Sequence, residues 1–212
     1  PLNAVIGFSE VLVAGADAKL VPEYAGAIEE AGRHLLSLID DILDITRAEE
    51  GRLPVQKERV AVAPLLRAAG RMMAGQAEAA GLALALEEPP ALPALSADSR
   101  RLRQVLLNLL SNAIKFTPSG GRVALSATQD AAGLRIEVRD SGIGIGAADM
   151  GRLFQPFAQV ENAASRRFAG SGLGLYLCRV LVEAQGGTLE LHSAEGQGTL
   201  ARIAFPPHLL LL

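Results

Sequence analysis

In the segment SRRLRQVLLNLLSNAIKFT (99–117), Asn108, Asn112 and Lys115 stand about one helical turn apart. On a helix turning about 100° per residue they form one stripe. That stripe lies roughly 100° round from the apolar stripe Leu102, Val105, Leu106, Leu109, Ala113 and Phe116. Two amides and an ammonium thus flank a buried face, where a cleft would open. An amide oxygen suits Mg²⁺, a hard cation that keeps most of its water and leans on substrate phosphates. A lysine one turn on meets phosphate as a point charge. A solvated helix edge accounts for this helix equally well when it is taken alone.

In GLRIEVRDSGIGIG (133–146), Leu134, Ile136 and Val138 alternate, so the period of two carries Asp140 toward the same buried face. A buried carboxylate requires donors. Either the following turn supplies them or an exocyclic amine such as adenine's does. Gly142, Gly144 and Gly146 let a ligand approach the backbone. Downstream, Gly170, Gly172 and Gly174 lead straight into a helix, an arrangement that favours anions. Neither a dinucleotide fingerprint nor a P-loop surrounds them. Between the two glycine stretches lies a long polar segment with the length of a lid. Phe154 and Phe157 are placed to anchor one end of it. Arg166 and Arg167 either reach phosphate or are solvated.

These residues need elements to hold them. From Tyr24 the apolar positions run Ile28, Ala31, Leu35, Leu38, Ile42 and Ile45 with gaps of four and three, a heptad seam. Leu36, Ile39 and Leu43 widen it. Pro22 suits the first turn, and Gly51 with Pro54 ends the helix. The opening stretch has helical spacing too, and AGADAKLVP (14–22) connects the two. A hairpin this thin cannot bury its seam alone, so a second copy is expected to complete a four-helix bundle.

Beyond residue 58 the sequence predicts a strand near Arg59–Val62 and a helix from about Pro64 to Ala80. A strand follows at LALALEE (82–88), then a proline-stiffened loop at PPALPAL (89–95). Asp98 or Ser99 caps a helix to Phe116. GRVALSAT (121–128) and GLRIEVRD (133–140) form one hairpin, and GTLELHSAEGQGTLARIAF (187–205) a last one. A helix from about Leu173 to Gln185 lies between them. The terminal leucines read as a frayed tail or a contact patch. The fold class is therefore α+β: an antiparallel helical hairpin over 1–53, then a two-layer α/β sandwich over 58–208.

Composition narrows the function. Of 212 residues, half are hydrophobic, enough for a sizeable core. The net charge of −3 and pI near 5.7 argue against nucleic acid as a partner. No apolar run approaches the roughly 18 residues of a membrane span, so direct membrane contact is not expected. The single cysteine, Cys178, excludes an internal disulfide and reads as a small buried hydrophobe.

The order NLLSNAIKFT, DSGIGI, FQPF, GSGLGL resembles the catalytic region of sensor histidine kinases, with its N box, glycine boxes and F box. HLLSLIDDILDITRAEEG (34–51) resembles the second helix of that family's dimerisation hairpin, and PLNAVIGFSE (1–10) the stretch just after its phosphoacceptor motif. The resemblance implies a GHKL-type ATP-binding domain with ATP and Mg²⁺ as cofactors. It implies Asn112 as Mg²⁺ ligand with Asn108 assisting, Lys115 on phosphate and Phe116 beside the nucleotide. It further implies Asp140 on the adenine amine, with Gly142, Gly144 and Ile145 shaping that pocket. Phe157, Arg167, Gly170, Ser171, Gly172, Leu173 and Gly174 belong to the lid and phosphate side. The implied partners are a second copy of the chain and a response-regulator receiver domain. The implied location is cytoplasmic, whether or not the longer protein is membrane-anchored.

In that family the acceptor histidine directly precedes a Pro-Leu, and here Pro1-Leu2 opens the chain. The acceptor is therefore expected to be absent from these residues. His34, beside the seam without the flanking motif, reads as structural, and His192 and His208 as bystanders. Two other functions remain open. A hydrolytic ATPase of the same superfold carries a glutamate where Asn108 stands, and an amide cannot take a proton from water. A nucleotide-binding pseudokinase or docking module would keep the bundle and leave the site silent.

Overall fold

A computed structural model of the chain describes residues 1–87, 91–158 and 171–211. It divides into two compact units, Pro1–Glu50 and Gly51–Leu212.

The first unit is a helical hairpin of α1 (Leu2–Val13) and α2 (Val21–Glu49). Pro22 lies in the first turn of α2, where the N–H that proline lacks has no helical partner to lose. Beyond the C-cap Glu50, Gly51 turns the chain out of the helix at φ 67°. Phe8 stacks on Tyr24 with ring centroids 5.4 Å apart, joining the two helices near the loop. The seam residues Tyr24, Ile28, Ala31, Leu35 and Leu38 are half-buried, and Ile45 is buried. Leu36, Ile39 and Leu43, which widen the seam in sequence, are 60%, 47% and 47% exposed. One copy of the hairpin therefore leaves this apolar face uncovered. His34 is exposed rather than packed into the seam.

The second unit contains a five-stranded sheet in the order β2-β4-β5-β7-β6. Its strands are β2 (Ala83–Glu87), β4 (Arg122–Asp130), β5 (Gly133–Asp140), β6 (Thr188–Ser193) and β7 (Thr199–Phe205). β2 pairs parallel to β4, and the other neighbours are antiparallel. Three helices form the second layer: α3 (Val62–Ala79), α4 (Ser99–Phe116) and α6 (Gly174–Glu183), while the one-turn α5 (Ala147–Met150) follows β5. α4 sits between the other two and packs on β4 and β5. Its stripe Leu102, Val105 and Leu106 is fully buried, as are Leu134, Ile136 and Phe205 of the sheet. Each such side chain contributes roughly 1.5–3 kcal/mol by leaving water. Cys178 on α6 is buried in this layer, its thiol 3.8 Å from the Val105 carbonyl.

Asp98 caps α4, its Oδ1 accepting from the Arg101 amide at 3.0 Å. α3 begins at Val62, two residues ahead of its expected start, because β1 (Glu58–Ala61) ends one residue early. Two expectations fail more substantially. The end of PPALPAL is strand rather than loop: β3 (Ala94–Ala97) pairs with β1 on one side. On its other side it pairs with β8 (Leu210–Leu211), so the terminal leucines are sheet rather than a frayed tail. Leu209, at the end of the 3₁₀ turn Pro207–Leu209, is buried.

Candidate functional site

The stripe on α4 meets the start of α6. Asn112 Nδ2 donates to Asn108 Oδ1 at 3.4 Å, and Asn108 Nδ2 donates to the Gly174 carbonyl at 3.2 Å. The approach needs glycine at 174: a Cβ there would stand 2.7 Å from Asn108 Oδ1. Asn108 thus spends both halves of its amide on positioning. Asn112 donates with its nitrogen and keeps Oδ1 as an acceptor, the atom that suits a hard cation. Among the described residues α6 has no side-chain cap at its N-terminus, and a helix start favours an anion. Ser171 Oγ accepts from the Leu173 amide at 3.2 Å and shapes the approach to that helix, while Leu173 itself is buried. Lys115 is half-buried with Nζ 5.1 Å from the Phe116 ring centroid. Burial lowers its ammonium pKa from the usual value.

The end of α4 also meets the end of β5. The Ile143 amide donates to the Phe116 carbonyl at 3.2 Å, and a Cβ on Gly142 would collide with that same carbonyl. This contact brings the Phe116 carbonyl and Asp140 Oδ1 together around Gly142. Asp140 Oδ1 accepts from the amides of Gly142 at 2.8 Å and Thr199 at 3.1 Å. The turn-capping and ligand-binding alternatives are therefore compatible, because both bonds use one oxygen and Oδ2 has no protein partner among the described residues. Burial raises the Asp140 pKa, and the two amide bonds only partly offset it. Gly144 stands at φ +66°, and any Cβ there would run into the Ala194 carbonyl. The Ile145 amide donates to Ser193 Oγ at 2.9 Å.

Ser193 and Thr199 belong to no motif that marks them in the sequence. Ser193 Oγ bonds the Gly198 carbonyl at 2.8 Å and lies 2.9 Å from Thr199 Oγ1. Together they hold the 142–146 turn and Asp140 from the neighbouring hairpin. The pattern GQGT at that hairpin's tip is the available signal, since Gly196 and Gly198 both have positive φ. Phe154 packs its ring 5.0 Å from the Arg179 guanidinium. Phe157 does not anchor the segment on the core: it is 66% exposed, at φ 62°. Its backbone instead abuts Gly172, at φ +70°, where a Cβ would meet the Phe157 carbonyl carbon at 2.6 Å. Arg166, Arg167 and Gly170 lie outside the described residues. Among the described residues no group of three or more His, Cys, Asp or Glu is placed to hold a metal.

Residues 97–209 match the family model of the histidine kinase-, DNA gyrase B- and HSP90-like ATPases. Residues 1–51 match the His Kinase A phospho-acceptor domain. A sensor-like histidine kinase of Rhizobium meliloti is 40% identical over 97% of the chain, and the histidine protein kinase DivJ of Caulobacter vibrioides 39% over 97%. The chain spans 40% and 35% of the length of those two proteins. Among solved structures, full-length ShkA in complex with AMPPNP is similar at a TM-score of 0.76, with 33% identity. That match covers 96% of this chain and 42% of ShkA.

Proposed function

The chain belongs to the sensor histidine kinase family, with that family's helical dimerisation region and GHKL-type catalytic domain, and from this premise we propose what its residues do. The second unit binds ATP with Mg²⁺ and directs the γ-phosphoryl group to a histidine of a phosphoacceptor hairpin. From there the group passes to an aspartate of a response-regulator receiver domain. The bound nucleotide supplies the phosphoryl group, and the metal ion neutralises charge on its oxygens. Transfer of this kind needs positioning and electrostatics more than covalent help from the protein.

Asn112 offers its amide oxygen to the metal, and Asn108 fixes that oxygen by taking the Asn112 nitrogen. Lys115 and the uncapped start of α6 face phosphate. Asp140 accepts the adenine amine through Oδ2 while Oδ1 is held by Gly142 and Thr199. One observation carries the reading: Asn112, Asn108 and Gly174 form a continuous hydrogen-bonded chain, which fixes Asn112 beside an anion-favouring helix start. The same chain disfavours efficient hydrolysis, because Asn108 stands where a general base would act and has no proton-accepting group to spare.

The test has two readouts. Replacing Asn112 with Ala should lower Mg²⁺-dependent AMPPNP affinity by about tenfold or more, as for a lost bond to a charged partner. With labelled ATP, acid-labile phosphate should appear on the histidine of an acceptor hairpin supplied as a second chain. Rapid release of free phosphate with no labelled histidine would reject the transfer reading in favour of an ATPase. Tight nucleotide binding with neither product would favour a docking role.

A further inference from the structure

Asp98 does more than cap a helix. Its Oδ1 takes the Arg101 amide at 3.0 Å, and its Oδ2 takes the Gln56 amide, also at 3.0 Å. Gln56 belongs to the connector that follows α2 and precedes β1. The Asp98 amide donates to Gln185 Oε1 at 2.9 Å, and Gln185 Nε2 donates to the Leu181 carbonyl of α6 at 2.8 Å. Asp98 and Gln185 are both buried, Gln185 completely. Both halves of the Gln185 amide and both carboxylate oxygens of Asp98 are thus satisfied.

The connector backbone is therefore bonded to one pole of a helix pair, the start of α4 and the end of α6. The opposite pole of the same pair is the Asn108–Gly174 junction. Ten residues of α4 separate Asp98 from Asn108, about 15 Å along the axis. The two helices pack together between these poles through buried side chains such as Val105 and Cys178.

We propose that Asp98 is a positioning residue: it seats the connector at Gln56 on the α4–α6 pair and couples that seat to nucleotide binding at the pair's other end. The proposal rests on the nucleotide reading above. Direction rather than reach is what the seat controls. β1 begins at Glu58, so releasing Gln56 frees only two more residues of chain. A tether lengthened by so little changes effective concentration by less than about twofold. Holding the backbone at Gln56 instead fixes the course by which the connector leaves the second unit. Coupling between the two poles must be reciprocal.

The experiment follows hydrogen exchange at the Gln56 amide in the full chain, with and without saturating AMPPNP and Mg²⁺. Nucleotide should slow exchange at Gln56 by about fivefold, the lower end of typical coupling. Asp98→Ser keeps one oxygen for the Arg101 amide but cannot reach Gln56. Exchange at Gln56 should then be fast and insensitive to nucleotide, with the Arg101 amide still protected. Gln56→Pro removes the donor without touching Asp98 or the site. It should weaken AMPPNP binding by a similar factor, which a merely structural bond would not do.

Binding of AMPPNP with no change at Gln56, or unchanged affinity in Gln56→Pro, overturns the coupling. Undiminished protection of Gln56 in Asp98→Ser overturns the seat. Failure of AMPPNP to bind the unaltered chain at all overturns the nucleotide reading, and the coupling with it.

Discussion

In the proposed site one carboxylate, Asp140, would serve two purposes at different costs: holding a turn and meeting the nucleotide. Burial raises its pKa above the ordinary value, and only two amide bonds pull it back. A raised carboxyl pKa means the folded state favours the protonated form. Its contribution to stability is complete below the unfolded pKa and is lost as pH rises through the folded one. Ionising Asp140 in the folded state therefore costs stability. Asp140→Asn keeps an oxygen for Gly142 and Thr199 but turns an N–H₂ toward the adenine amine. The variant should melt at or above the temperature of the unaltered chain, yet bind AMPPNP about ten- to a hundredfold more weakly. Paired thermal melts and titrations check both halves, and unchanged affinity would remove Asp140 from adenine recognition.

Asp41 on α2 shows the same sign more strongly. Burial, then the charges of Asp44 and Asp40, raise its pKa to about 6, partly opposed by His34. Stability of the hairpin should therefore fall as pH rises from about 4 through 6. The size is on the order of 1 kcal/mol once solvent screening is allowed for. Asp41→Asn should flatten that slope in melts between about pH 4 and 7, and an identical slope would show that other groups set it.

At the scale of elements, what was legible followed period and length. The α4 stripe repeats through about four turns of helix, and β4 and β5 alternate over strands of nine and eight residues around a two-residue turn. Both patterns state which side is buried, so they also state where Asn112 and Asp140 go. β3 and β8 carry no such signal. They are four and two residues long, and although they pair with each other they stand more than a hundred positions apart. Prolines around 89–93 read as loop because proline interrupts ladders, yet Pro93 ends just before the first paired residue. The roles of Ser193 and Thr199 were hidden for a related reason. They act through a hydroxyl and a backbone amide on a hairpin far along the chain, and neither contact leaves a periodic trace.

The added strand makes a separate prediction. Leu209 is buried, with Cδ1 close to where a Cβ on Gly186 would stand. Leu209→Ala should destabilise the second unit by about 2–4 kcal/mol, read from urea midpoints at unchanged slope. A cost below about 0.5 kcal/mol would return the tail to the status of a loose end.

At the scale of the whole molecule, the two units present different balances of surface. The second unit buries its apolar stripes within one chain. The hairpin does not: Leu36, Ile39, Ile42 and Leu43 are all 44–60% exposed along one run of α2. Scattered exposed leucines are ordinary, but four in eight residues on a heptad seam require a partner. The seam's own geometry favours a second hairpin of the same kind, because knobs spaced by three and four fit holes with that spacing. We therefore propose a homodimer through the hairpin, with the association driven by apolar burial. No helix among the described residues is long and apolar enough to cross a membrane. Mass action then makes the hairpin's melting temperature rise with protein concentration, while that of the second unit stays fixed. Light scattering on the unaltered chain should give twice the chain mass of 22.1 kDa. Ile39→Glu with Leu43→Glu places charge in the seam, where it cannot be hydrated once buried. That double variant should scatter as a monomer and bind AMPPNP with unaltered affinity. A variant that remains dimeric would move the interface off this face of α2.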